Sequence, residues 1–208
     1  MTGRFIAFEG GEGTGKSTQA RMLADALGRR GIDFVVTREP GGTPGAEAIR
    51  RLLLDHDGPA WGAAAEALLF AAARSDHVER LIRPALAAGR WVICDRFVDS
   101  SRAYQGGAGA LGDDAVRALH AIGSGGLLPD ATVLLAVGAE HANARLTARD
   151  GGAADRIGER DGAYHAEVGA SFERLAEAEP GRFVTVDGEG TADEVHARVL
   201  AALAPWLV

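Results

Sequence analysis

Residues 10–17, which read GGEGTGKS, have the composition and spacing of a loop that binds nucleotide phosphates. Its glycines let the backbone curl until successive N–H groups point at phosphate oxygens, and the following helix adds its positive N-terminal end. The motif predicts that Lys16 reaches the β- and γ-phosphates and that the Ser17 hydroxyl binds Mg²⁺. The predicted nucleotide-binding residues are Gly10, Gly11, Glu12, Gly13, Thr14, Gly15, Lys16, Ser17 and Thr18.

Lys16 is the only lysine in the chain, beside 21 arginines. Together with the abundance of alanine and glycine, this bias fits a GC-rich coding sequence that replaces lysine by arginine wherever either cation will serve. A lysine that persists should lie where a compact ammonium cannot be exchanged for a planar guanidinium. The composition and the loop motif therefore select the same residue.

Charged residues also follow two further strand-like runs. The sequence TREPGGT occupies residues 37–43, and Asp95 and Arg96 stand at the end of the run WVICD. The carboxyl ends of strands in an open parallel sheet line one crevice, so these residues should meet beside the phosphate-binding loop. Asp95 has the position of a carboxylate that holds Mg²⁺. For Arg38 and Arg96, surface ion pairing is the alternative interpretation.

Short β-rich runs alternate with segments of helical periodicity along the chain. Near-continuously apolar strands separated by helices predict an α/β fold, with a five-stranded parallel sheet covered by helices on both faces. The predicted strands are Arg4–Phe8, Asp33–Thr37, Trp91–Asp95, Ala131–Val137 and Arg182–Val186. The predicted helices are Lys16–Arg30, Ala63–Ala88, Asp113–Ile122, Glu140–Arg149, Gly162–Glu179 and Asp193–Leu203.

The 208 residues contain no repeat or linker, so we expect a single domain over residues 1–208. The Gly-, Asp- and Arg-rich stretch 150–162 lacks apolar anchors and is predicted to be a mobile insertion.

The net charge of −7 argues against nonspecific binding to nucleic acid or to an anionic membrane. The apolar runs are too short to span a bilayer. A strand-like run begins at residue 5, so we expect no signal peptide and a cytoplasmic location. The single cysteine, Cys94, excludes a disulfide framework and is expected to be a packing residue.

A phosphate-binding loop indicates a nucleoside triphosphate without saying what is done with it. A regulatory GTPase needs an Asn-Lys-x-Asp guanine reader, which is excluded because Asn143 is the only asparagine and Lys16 the only lysine. Residues 187–190, DGEG, imitate a second GTPase motif but follow the last strand and are predicted to form a turn. Residues 107–112, GAGALG, spell a dinucleotide fingerprint without a preceding strand and are predicted to form a loop. An ATP-hydrolysing switch remains open.

The chain resembles the bacterial thymidylate kinases, P-loop enzymes that transfer the γ-phosphoryl group of ATP to dTMP. The resemblance covers the whole chain. Its most specific parts are the TREPGGT run and DRFVDSSRAYQG at residues 95–106; FEG before the loop, LFAAAR at residues 69–74 and DRI at residues 155–157 add to it. It implies the three-layer P-loop kinase fold, Mg²⁺ as cofactor, ATP and dTMP as partners, a lid at about residues 145–162, and a homodimer.

The resemblance also implies roles for individual residues. Arg38, Arg74 and Arg96 would hold the dTMP phosphate. Phe70 would stack on thymine, Arg74 and Ser101 would also read its polar edge, and Tyr104 would crowd the sugar 2′ position. The full set implied for dTMP is Glu12, Arg38, Glu39, Phe70, Arg74, Arg96, Ser100, Ser101, Tyr104 and Gln105. The implied catalytic residues are Lys16, Glu39, Asp95, Arg96, Arg149 and Arg156, with Ser17 and Asp95 as metal ligands.

A monophosphate acceptor has a second pKa of roughly 6, so it is ionised near neutrality and needs no general base. The reaction needs charge neutralisation and in-line positioning instead. A kinase that phosphorylates a 5′-hydroxyl, which is the alternative enzyme, would want a base. The histidines lack metal-ligand spacing and are interpreted as structural or solvated; they are His56, His77, His120, His141, His165 and His196.

The variable positions of the phosphate-binding loop carry no cation, so the charge that stabilises the transition state should come from the lid. By resemblance, Arg149 and Arg156 would supply it, with Arg145 or Arg160 as alternatives. Members of the family usually follow Asp-Arg-Ile with Glu, whereas Gly158 stands there in this chain. This departure leaves open which arginine reaches the γ-phosphate.

Overall fold

The structure is a computed structural model that describes residues 3–55, 60–150 and 156–207, with the backbone alone described at residues 148–150. The strands are β1 Phe5–Glu9, β2 Phe34–Arg38, β3 Trp91–Asp95, β4 Ala131–Ala136 and β5 Phe183–Asp187. They form one parallel sheet in the order β2-β3-β1-β4-β5. The predicted five-stranded parallel sheet is confirmed, and its strand boundaries differ from those predicted by at most one residue.

Helices connect the strands. They are α1 Lys16–Arg29, α2 Pro44–Leu54, α3 Ala63–His77, α4 Arg83–Ala87, α5 Val98–Ser101, α6 Asp113–Ser124, α7 Ala139–Asp150, α8 Gly162–Ala178 and α9 Ala192–Ala202. A 3₁₀ turn follows at Ala204–Trp206. Two stretches have the wider hydrogen bonding of a π-helix: Val78–Ile82 joins α3 to α4, and Arg102–Ala108 continues α5. Among the described residues, no helix combines the length and the apolar composition that crossing a bilayer requires.

The predicted helix Ala63–Ala88 is one continuous helical path, but its hydrogen bonding widens in the middle. The Arg83 N–H bonds to the Val78 carbonyl, one residue further back than in an α-helix. Pro84 follows and has no N–H to donate, so the regular ladder must be interrupted there.

α2 and the helical path of residues 98–108 have no counterpart among the predicted helices. The signals for α2 are present, because Thr43 caps it by accepting from the Ala46 N–H and Pro44 occupies the first helical position.

β1 is buried on both faces and separates two apolar layers. Ile6 and Phe8 pack with α1 and α9, whereas Phe5 and Ala7 pack with the stretch from Val78 to α4. Helices therefore cover both faces of the sheet, and the predicted three-layer arrangement is confirmed. Cys94 is fully buried in the second layer, as expected of a packing residue.

The sheet register brings the ends of three strands level. Asp95 at the end of β3 pairs with Phe8 of β1 on one side and with Arg38 of β2 on the other. The residues that follow these strands therefore meet at one edge, as the sequence analysis expected.

Candidate active site

The phosphate-binding loop runs from the end of β1 into α1. Gly13 and Gly15 have φ of 73° and 95°, a left-handed conformation that favours glycine. A Cβ at Gly13 would also lie 2.3 Å from the Ala142 carbonyl oxygen of α7. α1 has no side-chain cap and no acidic residue in its first turn. The first N–H groups of this helix therefore favour an anion at its end.

Lys16 lies over this loop and is almost fully buried. Its Nζ donates to the Gly11 carbonyl at 2.5 Å and to Thr14 Oγ1 at 3.4 Å. Burial, and next the nearby Arg96 guanidinium, lower the pKa of Lys16 to about 8. An anion at this position would offset both effects.

Ser17 and Asp95, the two predicted metal ligands, are in direct contact. The Ser17 hydroxyl donates a hydrogen bond to Asp95 Oδ2, across the gap between α1 and the end of β3. Two hard oxygen atoms of this kind suit Mg²⁺. In residues 3–55, 60–150 and 156–207, no group of three or more His, Cys, Asp or Glu side chains could hold a metal without other ligands. An Mg²⁺ ion here would take the remaining ligands from a nucleotide and water, as is usual for this metal.

A cavity of about 230 Å³ opens beside these residues at the strand ends. All ten residues that the resemblance implies for dTMP line it: Glu12, Arg38, Glu39, Phe70, Arg74, Arg96, Ser100, Ser101, Tyr104 and Gln105. Ser17 and Asp95 line it as well. Five residues outside the predicted site complete the wall: Pro40, Arg50, Leu54, Phe97 and Ile157.

Arg96 joins the phosphate-binding loop to the cavity. One of its nitrogens, Nη1, donates to the Gly10 carbonyl and to Ser100 Oγ, and Nη2 donates to Glu12 Oε1 at 2.6 Å. Its carbon Cζ lies 5.2 Å from the centre of the Tyr104 ring. Burial opposes its charge, but Glu12 and the other acidic neighbours raise the pKa of Arg96 above its ordinary value. The backbone of Arg96 has a φ of 69°, which is unusual outside glycine, and the side chain reaches these partners from that conformation.

Arg74 is enclosed on the opposite wall. Its Nε donates to Glu39 Oε2 at 2.7 Å, and its Nη2 donates to Ser101 Oγ at 2.9 Å and to the Phe97 carbonyl. Arg38, in contrast, is exposed and pairs with Glu47 of α2 at 2.9 Å. The predicted phosphate-binding arginines thus surround one cavity, although they differ in burial.

Glu9 and His77 touch this machinery but were not selected from the sequence. Glu9 ends β1, is fully buried, and accepts hydrogen bonds from the N–H groups of Phe97 and Ser100 and from the Ser100 hydroxyl. Burial and Asp99 raise the pKa of Glu9 to about 7, against the opposing effect of Arg96. The His77 ring is hydrogen-bonded to the Glu39 carboxylate and to the Thr37 hydroxyl. The available signal for Glu9 was an acidic residue that ends an apolar strand.

The family model for thymidylate kinase matches residues 8–199. The chain belongs to the thymidylate kinase family. A protein named thymidylate kinase from Rhizorhabdus wittichii is 59% identical over 207 residues, which cover 100% of both chains. One from a Bradyrhizobium species is 50% identical over 93% of this chain and 86% of its own. One from Nitrobacter winogradskyi is 50% identical over 97% and 88%.

Membership of the thymidylate kinase family decides between the functional hypotheses of the sequence analysis. The chain is an ATP-dependent nucleoside monophosphate kinase that phosphorylates dTMP to dTDP. The bacterial thymidylate kinases named above also agree with the resemblance drawn from the motifs.

The predicted lid of the thymidylate kinase is described only in part. The side chain of Arg149, and Asp155 altogether, lie outside the described residues. Arg156 is described and precedes Ile157, which is buried against Tyr104 and Phe172 and lines the cavity. The expectation that this stretch lacks apolar anchors is therefore wrong at Ile157.

The two alternative lid arginines have partners elsewhere. Arg145 donates to the carbonyls of Gly188 and Gly190, in the segment after β5. Arg160 pairs with Glu66 of α3.

Two sequences in the chain imitate other nucleotide-binding motifs. Neither lies in the structural context that its motif requires. Gly107 and Ala108 still belong to the helical stretch Arg102–Ala108, so the predicted loop is wrong for these two residues, and no strand precedes the motif. Asp187 is the last residue of β5, and residues 188–190 form a loop in which the Glu189 N–H donates to Asp187 Oδ1.

Proposed function

We propose that the cavity at the strand ends binds dTMP and that residues 10–18 bind the phosphates of ATP. The observation that carries this proposal is the convergence of all ten dTMP residues on one cavity beside the phosphate-binding loop. The two nucleotides would then lie end to end, with Arg96 and Lys16 between them. That placement brings two polyanions together among fixed cations, which is the main requirement of phosphoryl transfer.

The polarity of the Arg74 wall supports a thymine base. Arg74 can only donate hydrogen bonds, and Ser101 Oγ accepts one from it, so the Ser101 proton is available to another acceptor. Two donors on one wall suit a keto oxygen of thymine. Cytosine carries an amino group instead, so a hydrogen-bond donor of the base would face the two donors of the wall. Phe70 on the same helix offers a ring face to the base.

We propose that Ser17 and Asp95 hold Mg²⁺ and that Arg149 and Arg156 supply cations from the lid. The contact between the Ser17 hydroxyl and Asp95 supports the first assignment. Held by Ser17 and Asp95, Mg²⁺ would neutralise the charge that develops on the transferred phosphoryl group. The position of Ile157 in the cavity wall supports the assignment of Arg156, its neighbour in the chain, whereas Arg149 is assigned from the family resemblance. The catalytic set is completed by Lys16, Glu39, Asp95 and Arg96.

We propose a homodimer and a cytoplasmic location, within a single domain of residues 1–208 whose lid covers about residues 145–162. For the dimer, Leu52, Leu68 and Ile122 are 48%, 56% and 85% exposed. They lie on α2, α3 and α6, which pack in a row. Three large apolar side chains on adjoining helices are suited to a second copy of the chain.

The test of this function is an ADP-release assay with dTMP, dUMP, dCMP and thymidine as acceptors, with the product identified by chromatography. We expect ADP and dTDP in equal amounts when dTMP is the acceptor. Activity on thymidine alone would indicate a kinase acting on a 5′-hydroxyl. ADP release without a phosphorylated nucleotide would indicate an ATPase.

A further inference from the structure

His77 lies behind the cavity, at the C-terminal end of α3, and has no exposed surface. Its Nδ1 is 3.0 Å from Glu39 Oε1, and its Nε2 is 2.7 Å from Thr37 Oγ1. A carboxylate oxygen only accepts hydrogen bonds, so Nδ1 must carry the proton of the first contact whichever way the Thr37 hydroxyl turns. His77 is therefore a donor held against Glu39.

A buried chain of polar contacts leads from His77 to the cavity. The other oxygen of Glu39, Oε2, accepts from Arg74 Nε at 2.7 Å, and Arg74 Nη2 donates to Ser101 Oγ at 2.9 Å. Arg74, Ser101 and Glu39 are only 3%, 4% and 6% exposed. Water cannot readily replace a partner lost from such a chain, so each contact constrains the next.

The TREPGGT run provides the space for this arrangement as well as two of its members. A Cβ at Gly42 would lie 2.4 Å from Thr37 Oγ1 and 2.7 Å from His77 Nε2. A residue larger than glycine would therefore separate the pair. His77 follows Arg74 by three residues, which places both on one face of α3. A strand end and a helix face are thus joined through this histidine.

We propose that His77 is a positioning residue that determines the base selectivity of the kinase. It holds one oxygen of Glu39 so that the other stays fixed on Arg74, and Arg74 and Ser101 then present donors to the base. Without His77, a buried carboxylate oxygen of Glu39 loses its hydrogen-bond partner, so Glu39 turns and Arg74 loses its anchor. This inference rests on the proposed placement of dTMP.

An Arg74 side chain that has lost its anchor should affect the use of dTMP and of dCMP differently. With dTMP, it loses part of the favourable contact to the keto oxygen. With dCMP, it can withdraw from the amino group, so part of the penalty disappears. The ratio of kcat/KM for dTMP to that for dCMP should therefore fall, whereas the KM for ATP depends on the loop across the cavity. A histidine that only filled the core would lower stability and leave this ratio unchanged.

The test compares three variants of the full chain. His77→Leu removes both contacts. His77→Gln keeps a polar group near Thr37 and loses the donor to Glu39, and it carries the test if the leucine variant does not fold. His77→Asn places its amide N–H₂ close to the position of Nδ1 and keeps the donor. The control Val199→Ala opens the core at α9, where Val199 is fully buried, far from this chain of contacts.

We expect the dTMP-to-dCMP ratio to fall at least about tenfold in the leucine and glutamine variants, mainly through a higher KM for dTMP. The asparagine variant should stay within about threefold of the wild type, and the KM for ATP should change less than about twofold in all of them. Val199→Ala should lower Tm without changing the ratio.

If the leucine and glutamine variants keep the wild-type dTMP-to-dCMP ratio and show only a lower Tm, the inference is wrong. His77 would then be a core residue without a role in selectivity. A wild-type enzyme that uses dCMP as well as dTMP would contradict the proposed site itself, before any variant is compared. The two failures are therefore distinguishable.

Discussion

Lys16 is enclosed by its own loop, where the Gly11 carbonyl and the Thr14 hydroxyl approach its Nζ. These contacts fit a compact ammonium that can turn its three donors. A planar guanidinium is wider and carries its donors in a fixed fork. The surroundings of Lys16 thus agree with its being the only lysine among 21 arginines.

Lys16→Arg should lower kcat by about two orders of magnitude although the charge is kept, because a misplaced cation stabilises the transferred phosphoryl group poorly. The measurement is steady-state ADP release at saturating ATP and dTMP. Arg21→Lys, the reverse exchange at an exposed position of α1, is the control and should leave kcat unchanged. An arginine variant with wild-type kcat would contradict the argument.

Glu9 combines burial with a structural role at the start of α5. Its carboxyl group accepts three hydrogen bonds from Phe97 and Ser100, and Ser100 also accepts one from Arg96. Burial nevertheless raises its pKa from 4.5 to about 7. In the folded chain Glu9 therefore keeps its proton over a pH range in which the unfolded chain has lost it.

The contribution of Glu9 to stability should be fully present below about pH 4.5 and be lost as pH rises through about 7. Glu9→Gln cannot lose a proton. Relative to the wild type, its free energy of unfolding should therefore increase by on the order of 2 kcal/mol between pH 5 and pH 8. Urea unfolding at several pH values measures this. Parallel pH profiles of the two proteins would show that Glu9 does not titrate in this range.

The sequence shows which motifs carry chemistry more readily than which side chains hold them in place. Arg38, Asp95 and Arg96 are predicted because they follow or end strands whose carboxyl ends must face the crevice. The later members of the DRFVDSSRAYQG run are implied only by the family resemblance. His77 was one of six dispersed histidines, and only the packing of α3 behind β2 brings it to Glu39. Contacts between distant segments of this kind have no local signature in the sequence.

At the scale of elements, the predicted helices match α1, α3 with α4, and α6 to α9, whereas α2, α5 and the irregular stretch Arg102–Ala108 have no predicted counterpart. The stretch Arg102–Ala108 contains two glycines and has π-type hydrogen bonding, so its periodicity differs from that of an α-helix. It also presents Tyr104 and Gln105 to the cavity. This irregular element therefore contributes side chains to the wall of the cavity.

The proposed lid, at about residues 145–162, runs from the second half of α7 to the start of α8 and should act on the chemical step more than on dTMP binding. Arg149→Ala and Arg156→Ala should each lower kcat by about two orders of magnitude, because a cation that faces the transferred group acts mainly in the transition state. The KM for dTMP should change little. Arg174→Ala, at an exposed ion pair with Glu167 on α8, is the control. Unchanged kcat in both lid variants would contradict this assignment.

At the scale of the whole molecule, a net charge of −7 coexists with a cavity lined by Arg38, Arg50, Arg74 and Arg96. The overall charge disfavours polyanions at the surface in general. Arg38, Arg74 and Arg96 pair with Glu47, Glu39 and Glu12, which fix their direction. The cavity therefore presents oriented cations in a chain that is acidic as a whole.

The proposed dimer links this cavity to the outer surface through α3. Leu68 of α3 is exposed, whereas Phe70 and Arg74 of the same helix line the cavity. The double variant Leu68→Glu, Ile122→Glu should sediment as a monomer of about 21.6 kDa, because two charges in each copy would be placed in an apolar contact. Sedimentation velocity at several concentrations measures this.

Leu128→Glu is the matched control, since Leu128 is also exposed but lies on the segment before β4 and not on the three helices. It should sediment as the wild type does. If the contact also supports α3, the double variant should show a higher KM for dTMP than the control at equal concentration. A wild-type chain that sediments as a monomer at all concentrations would contradict the dimer, and the position of Phe70 and Arg74 would then depend on the packing of α3 against α2 and α6 within one chain.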